Sequence, residues 1–323
     1  MSWQTYPKIE LHLHLEGAAP PAFIRGLAAE KQVDLRSIFK EDGGYAYRDF
    51  AHFLTVYEAA CSVLQSPEDF RRLTQCVLEE LAEHSVVYAE TFVSPDFCGG
   101  GDVGAWREYL AAMEEAHVES VTLKGIVTCI RHFGPEKAKK AAICAAETHG
   151  DFIRGFGMAG AELEGAPRDF LWAYDCAREA GLHLTVHAGE WNDAKSVREA
   201  WETLGVERLG HGVRAVEDPK LVDDLAEAGV TLECCPGSNV FLGVYPKLTA
   251  HPIARLREAG VKVTVSTDDP PFFDTTMTRE FEGLERAFSW GEADFAELNA
   301  NALAAAFCDD DTRAEIAKRL EAS

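Results

Sequence analysis

The sequence contains no run of about 18 apolar residues, the length a helix needs to cross a bilayer, and its opening stretch MSWQTYPKIE lacks the basic-then-apolar pattern of a secretion signal. A cytoplasmic location is expected. Basic residues are scarce: 31 Lys and Arg stand against 54 Asp and Glu, a formal charge of −23. Such a chain repels phosphate backbones and anionic membrane surfaces at long range, so neither nucleic-acid polymers nor membranes are expected partners. The nine cysteines are an odd number without CxxC spacing and read as reduced, mostly buried thiols. Cys234 and Cys235 adjoin, but neighbours on a strand face opposite ways, so both are expected to be structural. No G-x-G-x-x-G follows the first strand, which lowers the case for a dinucleotide-binding sheet, and no H-E-x-x-H occurs, which excludes zincin proteolysis. Ser/Gly linkers, repeats and low-complexity tracts are also absent.

What the chain has is room for a large core: 323 residues, 47% of them hydrophobic. Short β-branched runs separated by helical patterns occur at Ile9 to Leu15, Val86 to Val93, Gly125 to Ile130, Phe152 to Met158, Leu182 to His187, Glu207 to Gly210, Val230 to Cys234 and Val261 to Ser266. Strands alternating with helices form parallel βαβ units, and eight such units closing on themselves give a (β/α)8 TIM barrel. The expected fold class is therefore α/β, as one barrel domain over residues 1–323. The excess length lies mostly at residues 18–84, where segments such as DFAHFLTVYEAACSVL predict extra helices inserted after the first strand, over the barrel mouth. Phe50, Phe53, Leu54 and Tyr57 are the lid candidates.

In such barrels the catalytic groups project from the carboxyl ends of the strands. Strand one carries His12 and His14, two apart and so on one face; strand five ends in His187 within HAGE, strand six in His211 within GHG, and strand eight in Asp268 and Asp269 within STDDP. Neutral imidazole and carboxylate suit zinc and similar ions, and His12, His14, His187 and Asp268 supply ligands while leaving a place for water. Each motif alone has a plain structural reading: HAGE as a glycine turn, DDP as a helix cap. Four such readings would all have to hold together at strand ends. The other histidines, among them His132 just beyond strand three and His251 before a helix, have no spaced partner and are expected to fill surface or core roles.

HLHLEG, HAGE, GHG, CPGSN and STDDP, in this order across the whole chain, resemble the adenosine deaminase family of metal-dependent hydrolases. The resemblance implies a barrel with one Zn2+ per chain, or another divalent transition metal, that removes the 6-amino group of an adenine ring by hydrolysis. It assigns His12, His14, His187 and Asp268 to the metal, and Glu190, His211 and Asp269 to catalysis. Glu190 suits a proton donor to ring N1, provided burial keeps it protonated. His211 suits accepting the water's proton and orienting the hydroxide. Asp269 would meet the purine N7, and a backbone amide in the MAGAE turn, Gly160, would meet N3. The lysine that bridges two metals in related barrels is missing from strand four, DFIRGFGM. The cytidine-deaminase signature is missing as well, because Pro236 is followed by Gly-Ser-Asn.

Departures from the family pattern concern the substrate. Glu16 stands where adenosine deaminases carry an Asp that contacts ribose, and adenine deaminases often have Glu there. The turn GFGMAGAE keeps the AG-x-E of the adenosine enzymes but has Gly157 in place of their usual Asp, and GSNVFLGVYPKL leans toward the adenine-specific branch. The expected partner is a small purine nucleoside or base. Deamination of adenosine and 2′-deoxyadenosine is the expected reaction, with adenine or a modified adenine as the alternative substrate. A purine-binding protein without turnover is less expected, because every site residue is in place.

Overall fold

The computed structural model describes residues 2–321. Eight strands run in chain order: β1 Lys8–His14, β2 Val86–Val93, β3 Thr122–Ile130, β4 Ile153–Ala159, β5 His183–Ala188, β6 Arg208–His211, β7 Thr231–Cys234 and β8 Lys262–Val265. They pair in parallel, each with the next. The expected strands are all present. The clearest boundary difference is in β3, which starts three residues earlier than expected, because Thr122, Leu123 and Lys124 are only half-buried and offer a single apolar residue between two polar ones.

The sheet closes where β1 meets β8, through few bonds. His14 N–H donates to Asp268 O at 3.0 Å, Asp268 N–H donates to His12 O at 3.1 Å, and Ser266 Oγ accepts from the amides of Leu11 and His12 at 3.2 and 3.1 Å. This seam brings β1 histidines beside the β8 aspartates. Helices between successive strands cover the outside, which is why most strand residues are buried on both faces.

Three α-helices lie between β1 and β2: α1 Pro21–Lys31, α2 Phe50–Cys61 and α3 Pro67–Glu83. Asp49 caps α2 by accepting from His52 N–H, and Ser66 caps α3 by accepting from Asp69 N–H, with Pro67 at the first helical position. Buried Phe70, Leu73, Val77, Leu78 and Leu81 recur at helical spacing and fix the face that α3 turns inward. α2 lays Phe53 against Phe272 and Phe273, with ring centroids 5.4 and 5.3 Å apart, and so roofs the carboxyl ends of the strands. Among the described residues, no helix is long and apolar enough to cross a membrane.

Candidate active site

Under that roof the ends of β1, β5 and β8 bring His12, His14, His187 and Asp268 together, with one donor atom from each within 4.8 Å of all the others. Asp268 Oδ1 lies 3.5 Å from His12 Nε2 and 3.3 Å from His14 Nε2, and the Nε2 atoms of His14 and His187 face each other at 3.1 Å. Four donors converge on one point. The backbone is bent to achieve this: His211 and Asp268, neither of them glycine, hold left-handed φ values of 58° and 71°, a strain that persists where surrounding structure imposes it.

The donor set fits a metal ion. His12 Nδ1 is bonded at 2.7 Å to the Glu233 carboxylate, which leaves Nε2 aimed inward and, like His187 Nδ1, without a hydrogen-bond partner. Burial holds His14 and His187 below the ordinary imidazole range, and the neutral ring is the form that binds metal. At His12 burial acts the same way, but the neighbouring carboxylates of Asp268 and Glu233 outweigh it and push the ring up to about 9. So much buried negative charge calls for a cation here. Cys235 Sγ also approaches His211 and Asp268, but burial pushes its thiol well up, and a neutral thiol is a poor ligand.

Glu190, His211, Asp268, Asp269 and Gly160 line one pocket together with His14 and His187. Phe50, Phe53, Leu54 and Tyr57 from α2 line the same pocket. Burial, then the charges of Asp268 and Glu162, push the Glu190 carboxyl well up, which favours its protonated form. Asp269 is pushed up by burial, Asp268 and Glu190, and its Oδ1 has no partner. A Cβ on Gly17 would lie 1.5 Å from that oxygen, so only glycine fits after Glu16. Glu16 itself does not line the pocket. Its carboxyl accepts from Ser94 N–H at 3.3 Å and is pushed up to about 7 by burial, against the opposing pull of Ser94 and Tyr57.

Several residues that sequence reasoning passed over belong to this site. Glu162 accepts from four successive backbone amides, those of Gly189, Glu190, Trp191 and Asn192, and so shapes the HAGE turn. His251, expected in a surface or core role, is buried behind the pocket with both ring nitrogens hydrogen-bonded. Ile253 N–H donates to its Nδ1 at 3.2 Å, so its Nε2–H points to Asn239 Oδ1 at 3.1 Å. The Asn239 amide in turn reaches Glu190 Oε1 at 3.5 Å and His211 Nδ1 at 3.4 Å. His132, also expected in a surface or core role, lines the pocket and faces Glu58 of α2 at 3.4 Å. The signal for Glu233 was a charge in the middle of a four-residue apolar strand, TLEC; for His132 and His251 there was none.

The model of the family described as adenosine deaminase matches residues 7–323. The chain belongs to that family. An adenine deaminase from Rhizobium rhizogenes is 46% identical over 319 residues, covering 97% of this chain and 98% of the relative. The crystal structure of adenine deaminase from Arthrobacter aurescens superposes with a TM-score of 0.87 at 32% identity, over 98% of each chain. An amidohydrolase from Burkholderia ambifaria with bound Zn gives 0.86 at 26% identity, over 99% of this chain and 94% of that one. As a member of the adenosine deaminase family the chain is a hydrolytic deaminase on a TIM barrel. Against the expectation of a nucleoside substrate, these similarities lean toward the adenine alternative.

Proposed function

We propose that the protein hydrolyses free adenine to hypoxanthine and ammonia at a single zinc ion held by His12, His14, His187 and Asp268. The observation that carries the substrate choice is the 46% identity, nearly end to end, to a relative named adenine deaminase. Glu16, the residue that departs from the ribose-binding pattern, agrees with it. The adenosine expectation rested on the AG-x-E turn. In the structure the glutamate of that turn, Glu162, is engaged with the HAGE amides, so the motif serves the turn and carries no preference for a sugar.

A zinc ion held there by His12, His14, His187 and Asp268 would supply Lewis acidity and lower the pKa of an adjacent water toward neutrality. The protein's own groups do the rest. Glu190, held protonated, donates to ring N1 as attack at C6 breaks the aromatic system; one proton of the attacking water makes good the proton Glu190 has given, and the other passes from the new C6 hydroxyl to the amine as the C6–N bond breaks, so the products are hypoxanthine and ammonia. His211 takes a different part from the proton acceptor expected of it. The chain from Ile253 through His251 and Asn239 sets its Nδ1 as acceptor and leaves the proton on Nε2, which lies 3.8 Å from Glu190 Oε2 and 4.0 Å from Asp268 Oδ2. That Nε2–H holds the attacking oxygen in place. Asp269, as a neutral acid, donates to N7, and Gly160 offers its backbone to N3. The aromatic residues of α2 exclude bulk water.

The test is product identification with zinc-loaded protein. Chromatography of the reaction with adenine is expected to show hypoxanthine and one ammonia for each adenine consumed. Unchanged adenine would reject the reading.

A further inference from the structure

Beneath the active site, at the amino-terminal end of the barrel, lies a buried charge network that the reaction does not touch. Glu233 Oε2 holds His12 Nδ1 at 2.7 Å. Its other oxygen accepts from Thr185 Oγ1 at 2.9 Å and from Arg208 Nε at 2.6 Å. Arg208, 1% exposed, donates onward to Glu90 Oε2 at 2.6 Å and to Ala305 O at 2.9 Å. Glu90 Oε1 accepts from Tyr88 hydroxyl at 2.8 Å and from the Phe307 backbone amide at 2.5 Å. The Phe307 ring covers the Arg208 guanidinium, 3.5 Å from its centroid, and stacks on His183. Gly155 of β4 makes room for it, since a Cβ there would come within 2.9 Å of the ring. Phe307 also packs with Phe92, whose ring lies 4.8, 4.9 and 5.3 Å from those of His12, His14 and His187.

The network ends on a metal ligand: Glu233, fixed by Arg208 and Thr185, grips His12 Nδ1 and so leaves His12 Nε2 turned toward the other three donors. We infer that the segment Ala305–Cys308 is a plug that positions the metal centre, with Phe307, Glu90, Arg208 and Glu233 acting as positioning residues that hold His12 and its neighbours ready for the ion. The inference rests on the metal site of the proposed reaction but not on its substrate.

The test uses the full chain loaded with Zn2+, and reads the rate of zinc release to a chromogenic chelator and the visible spectrum of the Co2+-substituted protein. Glu233→Gln is expected to release zinc about 10- to 100-fold faster. Phe307→Ala, which reaches the ligand rings through Phe92, is expected to speed release several-fold and to shift the cobalt bands. Leu221→Ala, a buried change on an outer helix, serves as the packing control and leaves both readouts at wild-type values. Arg208→Lys, which keeps the charge, is expected to fall between wild type and Arg208→Met; should the methionine variant not fold, the lysine variant still reads the effect. Wild-type release and spectrum in folded Phe307→Ala, or equal acceleration in Leu221→Ala, would overturn the inference. Because release is read without turnover, a wrong substrate assignment leaves this result intact.

Discussion

Replacing Glu162 with Gln tests whether the HAGE turn is built by one carboxylate. The carboxylate accepts from four buried or half-buried amides, with distances of 3.1, 2.7 and 3.2 Å for Glu190, Trp191 and Asn192 on Oε2 and a shorter contact from Gly189 on Oε1. A glutamine has one acceptor oxygen. Set at the Oε2 position, it keeps three donors at neutral strength and turns its NH2 against the Gly189 amide. The orphaned donor costs about 1–3 kcal/mol, and the weaker bonds bring the total to roughly 3 kcal/mol. An unfolding entropy of about 2.1 cal/mol/K per residue over 323 residues converts this to a fall in Tm of about 4–5 °C. Because His187 and Glu190 flank the turn, misplacement also reaches the chemistry, and kcat on adenine is expected to drop by about 10- to 100-fold. Calorimetry and steady-state kinetics on Glu162→Gln supply both numbers. A Tm within about 1 °C of wild type together with an unchanged kcat would refute the reasoning.

Three further outcomes follow from the same geometry. Glu190→Gln removes the acidic proton while keeping shape, and kcat is expected to fall about 10²- to 10⁴-fold with bound zinc, read by atomic absorption, unchanged. Chelation of the metal should abolish turnover, with recovery on adding Zn2+; at free zinc about 1,000 times its Kd the ion contributes about 4 kcal/mol, so the stripped protein should melt roughly 6 °C lower by calorimetry. Burial pushes the Asp69 carboxyl up, but the Lys31 ammonium, Ser66 and the Gln65 amide outweigh it and hold it below its ordinary value of 3.8. A depressed carboxylate stabilises the fold above its unfolded pKa and loses that contribution as pH falls through the folded one. Asp69→Asn should therefore lower the unfolding free energy, read by urea titration, by about 1 kcal/mol near pH 6, with the gap to wild type closing as pH drops below about 4. A gap that widens in acid would contradict the assignment.

How much of this was legible depends on what each residue does. The strands announced themselves because burial on both faces demands β-branched runs, and the residues at their carboxyl ends could be read from position alone: His12, His14, His187 and Asp268 meet within 4.8 Å. The four lid candidates, Phe50, Phe53, Leu54 and Tyr57, were legible as spaced apolar residues on one helix, and all line the pocket. What stayed hidden were contacts between elements far apart in sequence. His251 and Asn239 meet across a loop, Glu162 reaches 27 residues or more to its amides, and Phe307 closes a network begun at Glu90. No local period marks such partners. The hydrogen-bond chain to His211 was hidden for the same reason: it runs from Ile253 through His251 and Asn239, partners that only the fold assembles.

The most direct test is kcat/KM for adenine and for adenosine, measured side by side on one zinc-loaded preparation by the loss of adenine-ring absorbance. A site built for the free base is expected to favour adenine by at least about 100-fold. Equal or faster turnover of adenosine would contradict the adenine assignment, and no turnover of either would contradict deamination of the unmodified ring.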